Sequence, residues 1–491
     1  MTLKPVPDDR LNIFSFLLAA AVVFHLGKWN FWLHSPVSLA LGVSAVFVLM
    51  KPSSTYGLYA LLALLLTDAF EKMPWIPNHW LFAAVVSLTI LSSALILIMR
   101  DRRPSADRPR LFDTFAPALR LELILLYFFA FFDKLNKDWL DPGVSCGTVL
   151  FSSFLHLPVF PGSHFLTEIL PIYGTLVFEA SIPVLLLFRK TRVAGIVLAL
   201  VFHFILGVFE YYNFSALTYA LLYLFVPDNF SGKLREWWTG SAIRGFYIRS
   251  GIERLSGRLK TPVLVTAGAA CLVLFIYAKL SYPPIEPHIE LKDPAKIGKT
   301  RLYYAFLALW WIYGIALISV FLLTLGRGMQ AGYGKGRFFL PPYAVLMIFP
   351  LLIVLNGASP FLGLKTQTAW SMFSNLRTEG GYSNHLIVRH PYYMADYQTD
   401  LVEIRRSSDP ALSAFKDSGY LIPYFELRRY MTRNRTSPPG ADALVYARNG
   451  AEITVSRPED DPELFKPVSY IFRKLLIFRP IPSKERGLCQ H

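Results

Sequence analysis

Lys134 closes a long apolar and aromatic stretch, Ile124 to Phe132, which opens with Arg120 and Glu122. An ionisable group inside a membrane span is costly and is a functional-site candidate by default. A buried ammonium is disfavoured by desolvation, so a lysine in such a place can serve as a base. The alternative is that Lys134 reaches outward along its stem, or pairs with Glu168 or Asp133. Both readings stand at this level.

Other ionisable residues fall at the same depth when spans are drawn over the apolar stretches. Glu168 is near the outer end of the following span, and His203 is roughly 9 Å inside the next at about 1.5 Å per residue. Glu210 follows His203 by seven residues, so the two share a helix face. Asp68 and Glu71 end the third span, His79 opens the fourth, and His25 ends the first. Polar groups aimed at one level from six helices predict a solvated cavity opening outward. Lys134, His203 and Glu168 are its candidate catalytic groups. Tyr127, His79, Asp68, Glu210 and Trp139 are its candidate lining. A lone histidine between Phe202 and Phe204 also reads as a packed, hydrogen-bonded core residue. Deeper in, Arg120 and Glu179 are expected to pair across helices, because either charge alone would be expensive. Glu122 is the competing partner for Arg120. Pro171 and Pro183 flank Glu179 and are expected to kink its span. No His, Cys, Asp or Glu set has metal-ligand spacing, so no metal site is expected.

Hydrophobic residues make up 54% of the 491 residues and charged residues only 17%. Soluble domains carry about 25% charged residues, so the chain reads as a multi-pass membrane protein. The net charge of +15 comes from basic clusters between spans. It therefore marks cytoplasmic loops, not a nucleic-acid partner. The three cysteines, Cys146, Cys271 and Cys489, form no CxxC pair.

Apolar windows of about 20 residues place the fold class: an all-α polytopic bundle of about 11 spans with a small extracytoplasmic α/β domain at the C-terminus. Residues 1–226 form a membrane core of about eight spans. Residues 227–261 form a basic interfacial segment, and 262–356 hold three further spans. Residues 357–491 form the extracytoplasmic domain. Four basic clusters, Arg100 to Arg110, Arg189 to Arg192, Lys233 to Lys260 and Arg327 to Arg337, share one side if the N-terminus is cytoplasmic. In the tail, 384–388, 400–405, 443–448 and 452–456 read as strands, with Asn449-Gly450 as a hairpin turn. Residues 423–431 read as a helix. Apolar residues 467–478, with Arg473 and Lys474, read as a return to the membrane surface.

Several motifs point further. Leu119-Arg120-x-Glu122, Tyr127-Phe128-Phe129-Ala130 and Lys134-Leu135-Asn136-Lys137-Asp138-Trp139 resemble the signature helix of the HTTM (horizontally transferred transmembrane) family, which includes vitamin K-dependent gamma-carboxylase. Asn78-His79, Glu179, Phe202-His203 and Ala369-Trp370-Ser371-Met372-Phe373 followed by Asn384-His385 keep the same order. The resemblance covers about residues 11–390. It implies Lys134 as the base that deprotonates a quinol such as reduced vitamin K. It also implies a Cys146–Cys489 disulfide tying the tail to the membrane part. The sequence departs from the carboxylase pattern in carrying Asp133 where a second lysine stands. A basic loop, Arg100 to Arg110, replaces a histidine-bearing turn.

The expected role is a scaffold, assembly or lipid-binding protein of the HTTM type, with the tail binding an extracytoplasmic protein or peptide. The alternatives are a carboxylase-type membrane enzyme using Lys134 on a quinol or other lipophilic substrate, and a transporter. The expected partner in every case is the lipid bilayer, and the expected setting a bacterial inner membrane.

Overall fold

The computed structural model describes residues 9–28, 35–155, 165–240, 301–326, 338–433, 444–457, 460–483 and 489. Within these, the membrane part is a helix bundle whose boundaries follow from local capping. Helix α1 is Arg10–Gly27. Helix α2, Pro36–Met50, starts with Ser35 accepting from the Ser38 amide and proline in the first turn, both favoured at a helix start. Helix α3, Thr55–Lys72, is capped in the same way by Ser54. Helix α4 is Asn78–Asp101. Helix α5, Arg108–Phe132, is capped by Asp107. A short α6, Lys137–Leu140, and α7, Cys146–Leu155, cover the end of α5.

The next span begins irregularly. Phe165–Gly174 winds as a π-helix around Pro171, whose ring removes a backbone donor. It runs on into α8, Thr175–Leu187. Helix α9, Arg192–Leu206, leads through a second π turn, Gly207–Tyr211, into the buried α10, Tyr212–Leu222. Helices α11, Phe230–Gly240, α12, Arg301–Gly326, and α13, Ile348–Ala358, follow. Helix α5 packs on α4, α8 and α13, and α1 packs on α2 and α10. The α5–α13 approach is close at Gly357, where a Cβ would lie 2.3 Å from the Phe129 ring. One apolar core runs through these helices.

Seven of the described helical segments are long and apolar enough to cross a membrane. They are Arg10–Gly27, Asn78–Asp101, Arg108–Phe132, Phe165–Leu187, Arg192–Phe209, Ala305–Gly326 and Ala344–Leu362, while Pro36–Met50 is apolar but shorter. The expected span at 263–280 and the basic segment from 241 to 260 lie outside the described residues.

The tail carries a five-stranded antiparallel sheet in the order β4-β3-β1-β2-β5. The strands are β1 Leu401–Arg406, β2 Tyr420–Pro423, β3 Leu444–Arg448, β4 Ala451–Val455 and β5 Ile481–Pro482. Asn449 and Gly450 turn β3 into β4 with φ of 51° and 80°, the left-handed pair such a turn demands. Helices α14, Pro410–Ser418, and α15, Tyr424–Arg433, pack on the sheet and share its core with Val402, Phe415 and Tyr446. A last short helix, α16, is Tyr470–Leu475.

One expected strand is corrected. Residues 384–388 are outside the sheet and make a single bridge, His385 to Asn136. The backbone groups of this segment are already committed to the end of α5: Leu386 N–H donates to Leu135 O at 2.8 Å and Lys137 N–H to Asn384 O at 3.1 Å. The sequence reading also missed α14, β2 and β5. Two of these are strands of four and two residues, too short for alternation to show.

Candidate functional site

The signature helix ends in a turn that aims its lysine back into the bundle. Asn136 caps α6 by accepting from the Trp139 amide at 2.8 Å. Its side-chain amide donates to Asp133 O at 2.7 Å and to Ser374 O at 2.6 Å. With the turn fixed from both sides, Lys134 folds along α5 and not outward. Its Nζ donates to Ala130 O and to Glu179 Oε1, both at 3.0 Å, and lies 2.9 Å from Glu179 Oε2. Trp139, held by the same cap, sets its ring 5.3 Å from the ammonium, within cation–π range. Lys134 is 4% exposed and Glu179 8%, so each charge has its partner in a dry place.

About two turns along the same face of α5, the Tyr127 hydroxyl lies 2.6 Å from His203 Nε2. His203 is fully buried and packs edge-on against Phe214. Three helices, α5, α8 and α9, thus bring Lys134, Glu179, Tyr127 and His203 into one cluster with Trp139 over its end. Chemically it combines an ion pair and a phenol–imidazole pair. Both are able to hold or pass a proton and to hydrogen-bond a buried hydroxyl or carbonyl.

Other expected lining residues form a second group. His25 Nδ1 lies 3.0 Å from His79 Nε2, and Asn213 Nδ2 lies 3.2 Å from that same nitrogen. The His25 ring stacks on Trp80 at 3.5 Å between centroids. Asp68 accepts from Ser38 Oγ at 2.5 Å, Trp80 Nε1 at 2.8 Å and Lys72 Nζ at 2.7 Å. Phe214 stands between the groups, with ring contacts to both His79 and His203. His79 and Asp68 therefore line a neighbouring network and do not face Lys134 directly. Ser38 and Asn213 were not singled out from sequence. Small uncharged polar residues in apolar helices give no periodic signal.

Three sequence expectations are corrected. Arg120 does not pair with Glu179. Its Nε donates to Leu224 O at 2.7 Å and its Nη1 to Phe338 O at 3.0 Å, with the guanidinium 3.8 Å from the Phe338 ring centroid. The reason is depth. Arg120 and Lys134 lie about 20 Å apart along α5. The π-helical start of the α8 span gains less height per residue, which leaves Glu179 near the Lys134 end. Glu122 is not the partner of Arg120 either; it accepts from Thr89 Oγ1 at 2.8 Å. Glu168 sits half-buried on the π-helical stretch and is not the acceptor for Lys134. Asp133 is fully buried, and among the described residues its carboxylate oxygens take no hydrogen bond. Glu210 falls in the π turn Gly207–Tyr211, and its side chain lies outside the described residues.

The tail closes over this end of the bundle. His385 Nε2–H donates to Phe132 O at 2.9 Å, and its Nδ1 accepts from the amides of Ile387 and Val388 at 3.1 and 2.9 Å. The imidazole is thereby neutral, with burial lowering its pKa below 6.5 against the opposing carbonyl bond. A depressed histidine stabilises the fold fully above 6.5, and that contribution is lost as pH falls below it. The protection of the amides at residues 384–388, corrected for the intrinsic exchange rate, should therefore fall as pH drops below 6.5. His385→Gln should abolish the pH step; an unchanged step would assign it elsewhere. Nearby, Cys146 and Cys489 are joined by a disulfide across 343 residues, with Cα atoms 4.8 Å apart. Trp139, Cys146 and Ile172 pack beside it as a small separate core.

The apolar helices and the family comparison together point to an integral membrane protein. No curated protein and no solved structure matches the chain. Residues 11–230, which hold every member of the Lys134 cluster, match the model of the HTTM domain family.

Proposed function

We propose that this membrane protein is an HTTM-type scaffold whose Lys134 cluster holds a lipophilic ligand taken from the bilayer, while the tail binds an extracytoplasmic protein or peptide. The observation that carries the reading is the engagement of Lys134. Its ammonium already meets Glu179, a backbone carbonyl and an aromatic ring. A fully partnered ammonium is a poor base and a good anchor for a ligand oxygen that displaces one of these contacts. Tyr127 and His203 would then fix the far end of a ligand carrying a hydroxyl or carbonyl group.

A second reading is favoured by one distance. Glu179 lies 2.9 Å from Lys134 Nζ, so in a dry site the pair can shift its proton to the carboxylate and expose a neutral amine. Lys134 would then take a proton from a quinol or other weakly acidic lipophilic substrate, as the family resemblance implies. Native mass spectrometry of the detergent-purified protein separates these roles. The scaffold reading expects a co-purifying lipid or a stoichiometric protein partner, weakened in Tyr127→Phe and Lys134→Met but with cellular function retained in part. Complete loss of function in Lys134→Met, with normal expression and a bound quinone, would replace it with the enzyme reading.

A further inference from the structure

The tail's exposed apolar residues are not scattered. Among the described residues after 363, every large hydrophobic side chain more than about a third exposed falls in one of two short segments. The first segment carries Tyr382, Leu386, Ile387, Tyr392 and Met394; the second is α16, with Tyr470, Ile471, Phe472 and Leu475. Ile471 is 62% exposed and Ile387 65%. The sheet strands and helices α14 and α15 contribute none.

Both segments are fastened to the ends of bundle helices on the tail side. Leu386 N–H donates to Leu135 O just past α5, and Met394 N–H donates to Leu362 O at the end of the last span. Lys474 Nζ donates to Phe70 O and Glu71 O at 3.0 and 2.9 Å, at the C-terminal end of α3. Tyr470 packs against Phe70 with ring centroids 6.4 Å apart, and Phe70 is itself 51% exposed. The apolar face of α16 thus continues the outward apolar flank of the bundle.

We propose that these two segments are a membrane-seating surface that dips into the leaflet on the tail side and holds the tail domain against the bilayer. The occupant is lipid because the patch adjoins the exposed Phe70 at the end of α3 and sits at the level where α5 and the last span end. Its aromatic and aliphatic side chains flank Arg473 and Lys474, the pairing that suits an acyl–headgroup boundary. The seating fixes the height of the segment running from His385 to the disulfide end, and hence the approach to Lys134 from this leaflet.

The test uses the full chain in phosphatidylcholine–phosphatidylglycerol vesicles, with Cys271→Ser to remove the cysteine outside the disulfide. Nitroxide labels go on Ile471→Cys, Leu475→Cys and, independently, Tyr392→Cys. Val184→Cys, on the exposed face of α8, and Glu452→Cys, on the exposed strand β4, are the lipid and water references. The seated positions should collide with oxygen in preference to an aqueous nickel chelate, as Val184 does, at a depth of about 5–10 Å. Nickel accessibility like that of Glu452 at all three positions would overturn the proposal. So would shielding from both reagents, which would mean that protein covers the patch. The labelled positions are exposed, so a folded sample is expected at each, and the three sites fail independently.

Discussion

Glu179→Ala should destabilise the detergent-solubilised protein by about 3–5 kcal/mol, because it strands the Lys134 ammonium in a dry site. The loss arises less from the attraction removed than from the charge left behind. Lys134 would keep Ala130 O and the Trp139 ring as direct contacts, neither of which neutralises it, and the buried Asp133 carboxylate next to it in sequence makes no hydrogen bond among the described residues. Replacing both partners by apolar groups removes that penalty. Lys134→Met/Glu179→Leu should therefore recover most of the stability, to within about 1 kcal/mol of the parent. Thermal unfolding of the single and double variants measures the coupling directly. Arg120→Leu, combined with Glu179→Ala, should rescue nothing, because Arg120 is held by Leu224 O and Phe338 O at the other end of α5. Rescue by Arg120→Leu, or a harmless Glu179→Ala, would contradict the pairing. The double variant also isolates function: stable but lacking both charges, it tests whether the pair does more than hold helices together.

The second large effect concerns the covalent tie between the start of α7 and the tail. Cys146→Ser/Cys489→Ser should cost about 2–4 kcal/mol, since the bond closes a long loop in the unfolded chain. It should also act locally. Cys146 packs with Trp139 and Ile172. Its amide donates to Asn375 Oδ1 at 2.7 Å, and Asn375 Nδ2 donates to Val144 O at 2.9 Å. Loosening this corner frees Trp139, which faces Lys134, so ligand retention should fall along with stability. Reductant should lower the melting temperature of the parent and leave the serine pair unchanged. An unaffected parent whose two thiols alkylate freely would sink this expectation.

These variants bear on one mechanical point. Asn136 carries the turn after Lys134, and it is held from the tail: it donates to Ser374 O, and Asn384 Nδ2 reaches Asp138 Oδ2 at 3.0 Å. A buried ion pair from Arg479 to Glu379 at 2.9 Å holds the same segment to the last strand. The position of Lys134 is thus set by residues some 240 positions away in sequence.

The sequence by itself determined the helical membrane class, the hairpin at Asn449-Gly450 and the placement of Arg120, Tyr127 and Lys134, seven apart, on one helix face. These are local or periodic properties. Apolar windows, a left-handed turn pair and residues seven apart on a helix need no knowledge of neighbours. Glu179 was visible as a buried charge, but its partner was not. Partnership depends on the height of each residue in the bundle, and the π-helical stretch at Phe165–Gly174 changes height without any change in hydropathy. The same holds for the separation of His79 and Asp68 from Lys134, which rests on where Phe214 packs. The docking of residues 384–388 on the end of α5 rests on carbonyls that any sequence would carry. Charge placement is written along the chain, whereas charge pairing in a low-dielectric bundle is decided by relative helix depth and rotation, which only the tertiary structure fixes.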